Sequence, residues 1–127
     1  MSDRPIDSYR AMDIKARVES ASAGELIALL FEGLITSLTA VKVAIGRGDL
    51  KAKADKISNA ISILSALRES LNDDGGAEIT YNLDRLYDYM QRKIITANQS
   101  LNVEDIDEVV ELVVIIKSGW DEALSSS

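Results

Sequence analysis

Four carboxylates near the C-terminal end, Glu104, Asp105, Asp107 and Glu108, are the densest group of chemistry-bearing side chains in the chain. Paired carboxylates can share a proton and act as acid and base. At the start of a helix, the simpler reading is that they complement its dipole. The run Asn72-Asp73-Asp74-Gly75-Gly76 offers oxygen ligands beside glycine and so raises calcium. A calcium loop of the EF-hand type needs a glutamate at its twelfth position, which here is Leu83, and a turn explains the residues without a metal. The sequence has no histidine and no cysteine, which removes zinc sites, thiol nucleophiles, disulfides, Ser-His-Asp triads, Glu-x-x-His di-metal sites and histidine phospho-acceptors. No phosphate-binding glycine pattern is present, since Gly46-Arg47-Gly48 lacks the strand and lysine that such a loop requires. These residues predict no cofactor, no metal and no enzymatic activity.

The 127 residues suit one domain, and 46% hydrophobic content is enough for a core. One proline and seven glycines leave little material for sheet turns and favour helices. Fourteen basic against 21 acidic residues give a net charge of −7, which disfavours nucleic acid and anionic membrane as partners. The excess is concentrated after Leu101, where seven acids face Lys117 alone. No secretory leader is evident at the polar N-terminus. The apolar run Leu26 to Val41 falls short of the roughly 20 residues of a bilayer span, so no stable membrane insertion is expected and the cytoplasm is the expected location.

Residues 1–21, with Pro5 and scattered apolar positions, read as an N-terminal arm or short helix. Ser22 and Glu25 then have capping-box spacing and start a helix running to about Ile45, with Leu26, Ile27, Leu30, Phe31, Leu34, Leu38, Val41 and Ile45 on one stripe. Gly46 and Gly48 end it, and Asp49 caps a second helix carrying Ile57, Ala60, Ile61, Leu64, Leu67 and Leu71. A third spans about Ala77 to Asn98, with Ile79, Leu83, Leu86, Met90, Ile94 and Ala97 inward. Asn102 caps a fourth that carries Ile106, Val109, Val113, Ile116 and Trp120 and frays into a tail at 125–127. The expected fold is all-α, an antiparallel up-and-down four-helix bundle over residues 22–124.

The helices carry more apolar surface than such a bundle requires. Leu29, Ile35 and Val43 lie outside the stripe of the first helix, Ile63 at an edge of the second, and Val114 and Ile115 well away from the stripe of the fourth. Tyr87 and Tyr89 flank the core of the third helix, while Tyr81 and Ile95 sit almost opposite it. Wide core stripes with ordinary exposed apolar residues explain any one of these; the set also suits grooves that receive amphipathic helices.

Two segments resemble a known family. Ala21-Ser22-Ala23-Gly24-Glu25-Leu26-Ile27, followed by Leu30-Phe31-Glu32-Gly33, is similar to the opening helix A-S-P-x-x-L-I-x-x-L-Y-D-G of the FliS family, flagellar export chaperones for flagellin. Gly75-Gly76-Ala77-Glu78-Ile79-Thr80-Tyr81-Asn82-Leu83, followed by Leu86-Tyr87-Asp88-Tyr89-Met90, resembles its G-G-E-I-A-x-N-L-x-x-L-Y-D-Y-M helix, with one residue extra after the glycines. Ala97-Asn98, Trp120 and the arm bearing Tyr9 also fit. Ala23 stands where the family has proline, and Phe31 and Glu32 replace Tyr and Asp. The resemblance implies a nucleotide-independent chaperone that holds the disordered C-terminal segment of flagellin in the cytoplasm, prevents premature polymerisation and delivers it to the export gate. By the same analogy Tyr9, Ala60, Ile63, Leu67, Asn82, Tyr87, Tyr89 and Asn98 contact flagellin, the two asparagines through their amides. The alternative is an adaptor bundle that binds an anti-sigma factor or a co-chaperone through the same groove.

Overall fold

In the computed structural model, which describes residues 16, 17, 19, 21–71 and 77–126 and for 77–79 the backbone alone, the helix starts follow local chemistry. Ser22 Oγ accepts from the Glu25 amide at 3.2 Å and the Ser22 amide donates to Glu25 Oε1 at 2.8 Å, so the capping box is closed and α1 runs Ala23–Arg47. Helix α1 passes through Gly46 and is stopped by Gly48 alone, which takes φ 69° and returns its N–H to the carbonyls of Ala44 and Ile45. Asp49 Oδ1 then accepts from the Ala52 amide at 3.1 Å and starts α2, Leu50–Glu69. Helix α3 spans Ala77–Ser100 and α4 spans Val103–Ser126. Asn102 Oδ1 caps α4 by accepting from Glu104 N at 2.9 Å.

Helix α4 differs from expectation at its end. Ser125 and Ser126 are helical rather than part of a tail, and each hydroxyl donates to the carbonyl four residues back, at Asp121 and Glu122. The expected turn at 72–76, Ser127 and most of the arm, including Tyr9, lie outside the described residues.

The helices form a ring in which α1 packs on α2 and α4, and α3 on the same two. Ion pairs and a short first connection set the directions. Lys42 near the end of α1 meets Asp107 near the start of α4, and Arg68 at the end of α2 meets Asp84 near the start of α3, so neighbours run antiparallel. The buried core takes one stripe from each helix: Phe31, Leu34, Leu38 and Val41; Ile57, Ala60, Leu64 and Leu67; Tyr87, Met90, Ile94 and Ala97; Ile106, Val109 and Val113. Trp120 closes the ring. Its indole N–H donates to the Gly24 carbonyl at 2.9 Å, and its ring meets Phe31 edge-on at 6.4 Å.

Helix α1 is longer than its apolar run suggested. With 25 residues and a hydropathy of 1.8 it is long and apolar enough to cross a membrane. In this fold Phe31, Leu34, Leu38 and Val41 are instead spent on the bundle core.

One position is strained. Leu101, between α3 and α4, has φ 59°, a left-handed backbone that favours glycine, and its amide closes on the Ala97 carbonyl at 2.7 Å. Its side chain is exposed, so little packing is at stake. Leu101→Gly is expected to raise stability by about 0.5–1 kcal/mol, the relief of strain exceeding the added chain entropy of glycine, as read by urea denaturation.

Candidate protein-binding surface

Part of the surplus apolar area gathers in one groove, while Ile35 packs on the core and Val43 stays exposed on α1. Between α1 and α2 lies an open groove of about 750 Å³, lined by Leu26, Leu29, Leu30, Gly33 and Ile63, with Thr36, Asn59 and Ser62 beside them. Gly33 helps to make it: a Cβ there would stand 3.3 Å from Ile63 Cδ1, so the missing side chain lets Ile63 lie across the seam. Arg17 marks the rim by pairing with Glu32 at 3.0 Å. Elsewhere Tyr81, Ile95, Val114 and Ile115 are exposed on the outer sides of α3 and α4, Ile115 to 68%.

The other seams are clipped by polar contacts. At α2/α3 Arg68 grips Asp84 with two nitrogens, at 2.8 and 3.2 Å, and a third nitrogen reaches Asp88 at 3.3 Å and Gln91 at 2.9 Å. Gln91 passes the contact back to Ser65 at 3.2 Å. The Arg68 hydrogen bond holds the Asp84 carboxyl below its usual range. At α3/α4 the Tyr89 hydroxyl donates to Glu108, while Lys93 lies 3.4 Å from Glu108 and 3.5 Å from Asp105. The Tyr89 hydrogen bond lowers the Glu108 carboxyl, and the same bond pushes the Tyr89 hydroxyl up. The acids of α4 thus do more than start a helix: Asp105, Asp107 and Glu108 meet lysines of α3 and α1.

The residues proposed from sequence do not form one site. Ile63 lines the α1/α2 groove. Asn82 and Tyr89 are exposed on α3 beside a shallow polar depression of about 690 Å³ shared with Arg68, Asp84, Arg85 and Arg92. Asn98 is half-buried near the far end of α3; its carbonyl accepts from Lys53 Nζ at 3.2 Å, and its Oδ1 is sealed from solvent with no partner among the described residues. Ala60, Leu67 and Tyr87 must be corrected. All three are core, Tyr87 only 3% exposed, because they fall on the stripes that face the bundle axis. Burial pushes the Tyr87 hydroxyl up to about 12. Leu26 and Gly33 are groove residues that periodicity alone assigned to the core stripe or to no role. The one signal for Gly33 was a glycine inside an amphipathic helix, which often marks a close approach.

No group of three His, Cys, Asp or Glu that could hold a metal occurs among the described residues. What the surface offers is apolar area with a few amides and hydroxyls, suited to binding by burial.

The fold and this surface define a small helical bundle that presents docking area for another polypeptide. Residues 5–127 match the family described as flagellar protein FliS. The chain is 37% identical over 118 residues to the flagellar secretion chaperone FliSB of Pseudomonas aeruginosa, covering 93% of this chain and 94% of that one. It is 35% identical over 118 residues to the flagellar secretion chaperone FliS of Salmonella typhimurium, covering 92% and 87%. A crystal structure of a flagellar chaperone from bacteria has the same fold, with a TM-score of 0.78 at 19% identity over 97% of this chain and 100% of that one. The chain belongs to the FliS family of flagellar secretion chaperones, which are not enzymes.

Two outcomes follow from the placement of these groups. Tyr87→Asp is expected to lower stability by about 3 kcal/mol or more, since it puts an unpaired carboxylate in the core, whereas Tyr87→Phe changes it by about 1 kcal/mol at most. Circular dichroism melts separate the two. The lowered carboxyls of Glu25, Asp84 and Glu108 fix the sign of the acid response. Their contribution is present above the ordinary carboxylate range and is lost as pH falls through their lowered folded values. Melting temperature should therefore drop between pH 5 and pH 3, and by less in Asp84→Asn/Glu108→Gln, which has already lost that contribution at neutral pH.

Proposed function

We propose that this chain binds the disordered C-terminal segment of flagellin in the cytoplasm, keeps it from polymerising early and delivers it for secretion. The observation that carries the reading is the apolar groove between α1 and α2, an opening that a bundle of this size does not need for its own stability. Its chemistry fits a client whose apolar stripes are later buried in a filament. Leu26, Leu29 and Ile63 offer area for such a stripe, while Asn59, Ser62 and Thr36 can bond to client backbone at the margins. The exposed Asn82 and Tyr89 on α3 would take a further stretch of the same chain. Folding of the client on the surface costs it chain entropy, so part of the contact energy is offset and release stays feasible. No nucleotide or metal enters this cycle, and handover goes to the export gate.

Titration of the full chain with the cognate C-terminal flagellin segment should give a one-to-one complex, a gain in helicity and a negative heat-capacity change. Ile63→Ser should weaken it at least tenfold while the free bundle, which loses about 1–2 kcal/mol because Ile63 packs partly on the core, still folds and melts cooperatively. Absence of binding at high micromolar concentration would reject the reading, and binding of an anti-sigma factor or co-chaperone in its place would favour the adaptor alternative.

A further inference from the structure

The seven acids that follow Leu101 fall into two sets. Asp105 and Glu108 pair with Lys93, Asp107 with Lys42 and Asp121 with Lys117, and all four acids are half-buried. Glu104, Glu111 and Glu122 are exposed and pair with no cation among the described residues.

The unpaired set lies on one line. Positions 104, 108, 111, 115, 118 and 122 are spaced alternately by four and three, a row along the side of α4 opposite Ile106, Val109 and Val113. From Glu104 to Glu122 the row is about 27 Å long. Ile115, the most exposed large apolar side chain described, stands in it between Glu111 and Glu122, with exposed Val114 beside it. The free helix also carries like-charge repulsion here. Glu104 and Glu108, and Asp107 and Glu111, are four residues apart, and Glu108 and Glu111 three apart. Lysines of α1 and α3 relieve Asp107 and Glu108; Glu104 and Glu111 have no such relief among the described residues.

We infer that this outer face of α4 docks a basic amphipathic helix of another protein. The period of 3.5 is one that a second helix can follow along its whole length. Cations of the partner meet Glu104, Glu111 and Glu122, and an apolar residue between them covers Ile115 and Val114. The sign of the partner follows from the row itself. An acidic or uncharged helix would press three carboxylates against its surface with no compensating charge.

A single helix laid on a single helix buries less than about 1,200 Å² in all, the size of a transient contact. Its affinity therefore rests on charge, and it falls as salt rises. Helix α4 packs on α1 and α3, so its outer face turns away from α2 and leaves the α1/α2 groove open. An occupant of that groove and a basic helix on α4 can be held at once.

Fluorescence anisotropy on the full chain tests this without any flagellin, so its outcome is separate from the reading of the groove. The probe is a labelled synthetic helix about 20 residues long, with lysine and leucine on one row at four-and-three spacing and alanine and glutamine elsewhere. It should bind with a Kd on the order of 10 μM at low salt and at least tenfold more weakly in about 0.5 M salt. A peptide of the same composition with its lysines and leucines scattered should also bind at least tenfold more weakly. Glu111→Lys/Glu122→Lys should weaken the patterned probe by a similar factor, and Glu104→Lys/Ile115→Asn stands in if that pair fails to fold. Asp55→Lys/Glu69→Lys, an equal change of net charge made on α2, should leave the affinity within about twofold, as should Ile63→Ser in the groove. A probe with glutamate in place of lysine should bind Glu104→Lys/Glu111→Lys/Glu122→Lys and not the wild-type chain. No binding at several hundred micromolar, equal binding of the scattered peptide, equal loss from the reversal on α2, or loss with Ile63→Ser would each overturn the proposal.

Discussion

The contact between the Trp120 indole and the Gly24 carbonyl joins residues 96 positions apart and turns a row of hairpins into a closed ring. Each helix can then bury only the stripe that faces the common axis. Gly24 is suited to the joint because a Cβ there would stand 2.6 Å from Leu124 Cδ2, so a larger residue would force Leu124 to shift. The same turn of α1 carries the capping box and leads directly into Leu26, the first groove residue. Closure of the ring, entry into α1 and the start of the groove are thus one piece of structure. Apolar side chains outside the four stripes pack on the core only in part, as Ile35 and Ile63 do, or stay exposed, as Val114 and Ile115 do.

How the seams are held decides where that surplus becomes useful. Three of the four carry charged clips: Lys42 to Asp107, Arg68 to Asp84 and Asp88, and Lys93 to Asp105 and Glu108. Among the described residues the α1/α2 seam has no such clip. It has small residues instead, Gly33, Ser37 and Ala60, with Leu29 and Ile63 left at its outer edge. A seam that depends on close backbone approach leaves its larger flanking side chains open to another chain.

Much of this was legible in the sequence where the cause is local. The Ser22/Glu25 box, Gly48 as a helix stop and Asp49 and Asn102 as caps depend on residues within four positions of one another, and the core stripes follow from spacing. Tyr87 was misplaced because Leu86 and Tyr87 both lie near the inward edge of α3, and an aromatic ring with a polar tip suits either side of that edge. Ala60 and Leu67 were readable as core from their own helix, and only analogy made them binding residues. The acidic start of α4 was illegible for a different reason. Its lysine partners stand on α1 and α3, and no pattern within α4 can reveal them. The groove was half-visible: Leu29 and Ile63 were surplus by periodicity, but their convergence required knowing that α1 packs on α2.

The ring-closing residue is also the chain's sole tryptophan. Held by the Gly24 carbonyl and edge-on to Phe31, it sits where the first and last helices meet. Intrinsic fluorescence excited selectively at the indole therefore comes from this one joint. Its emission will shift to the red when the last helix leaves the first, even if the hairpin of α2 and α3 stays folded. The molecule thus carries a built-in optical gauge of ring opening, separate from its overall helix content.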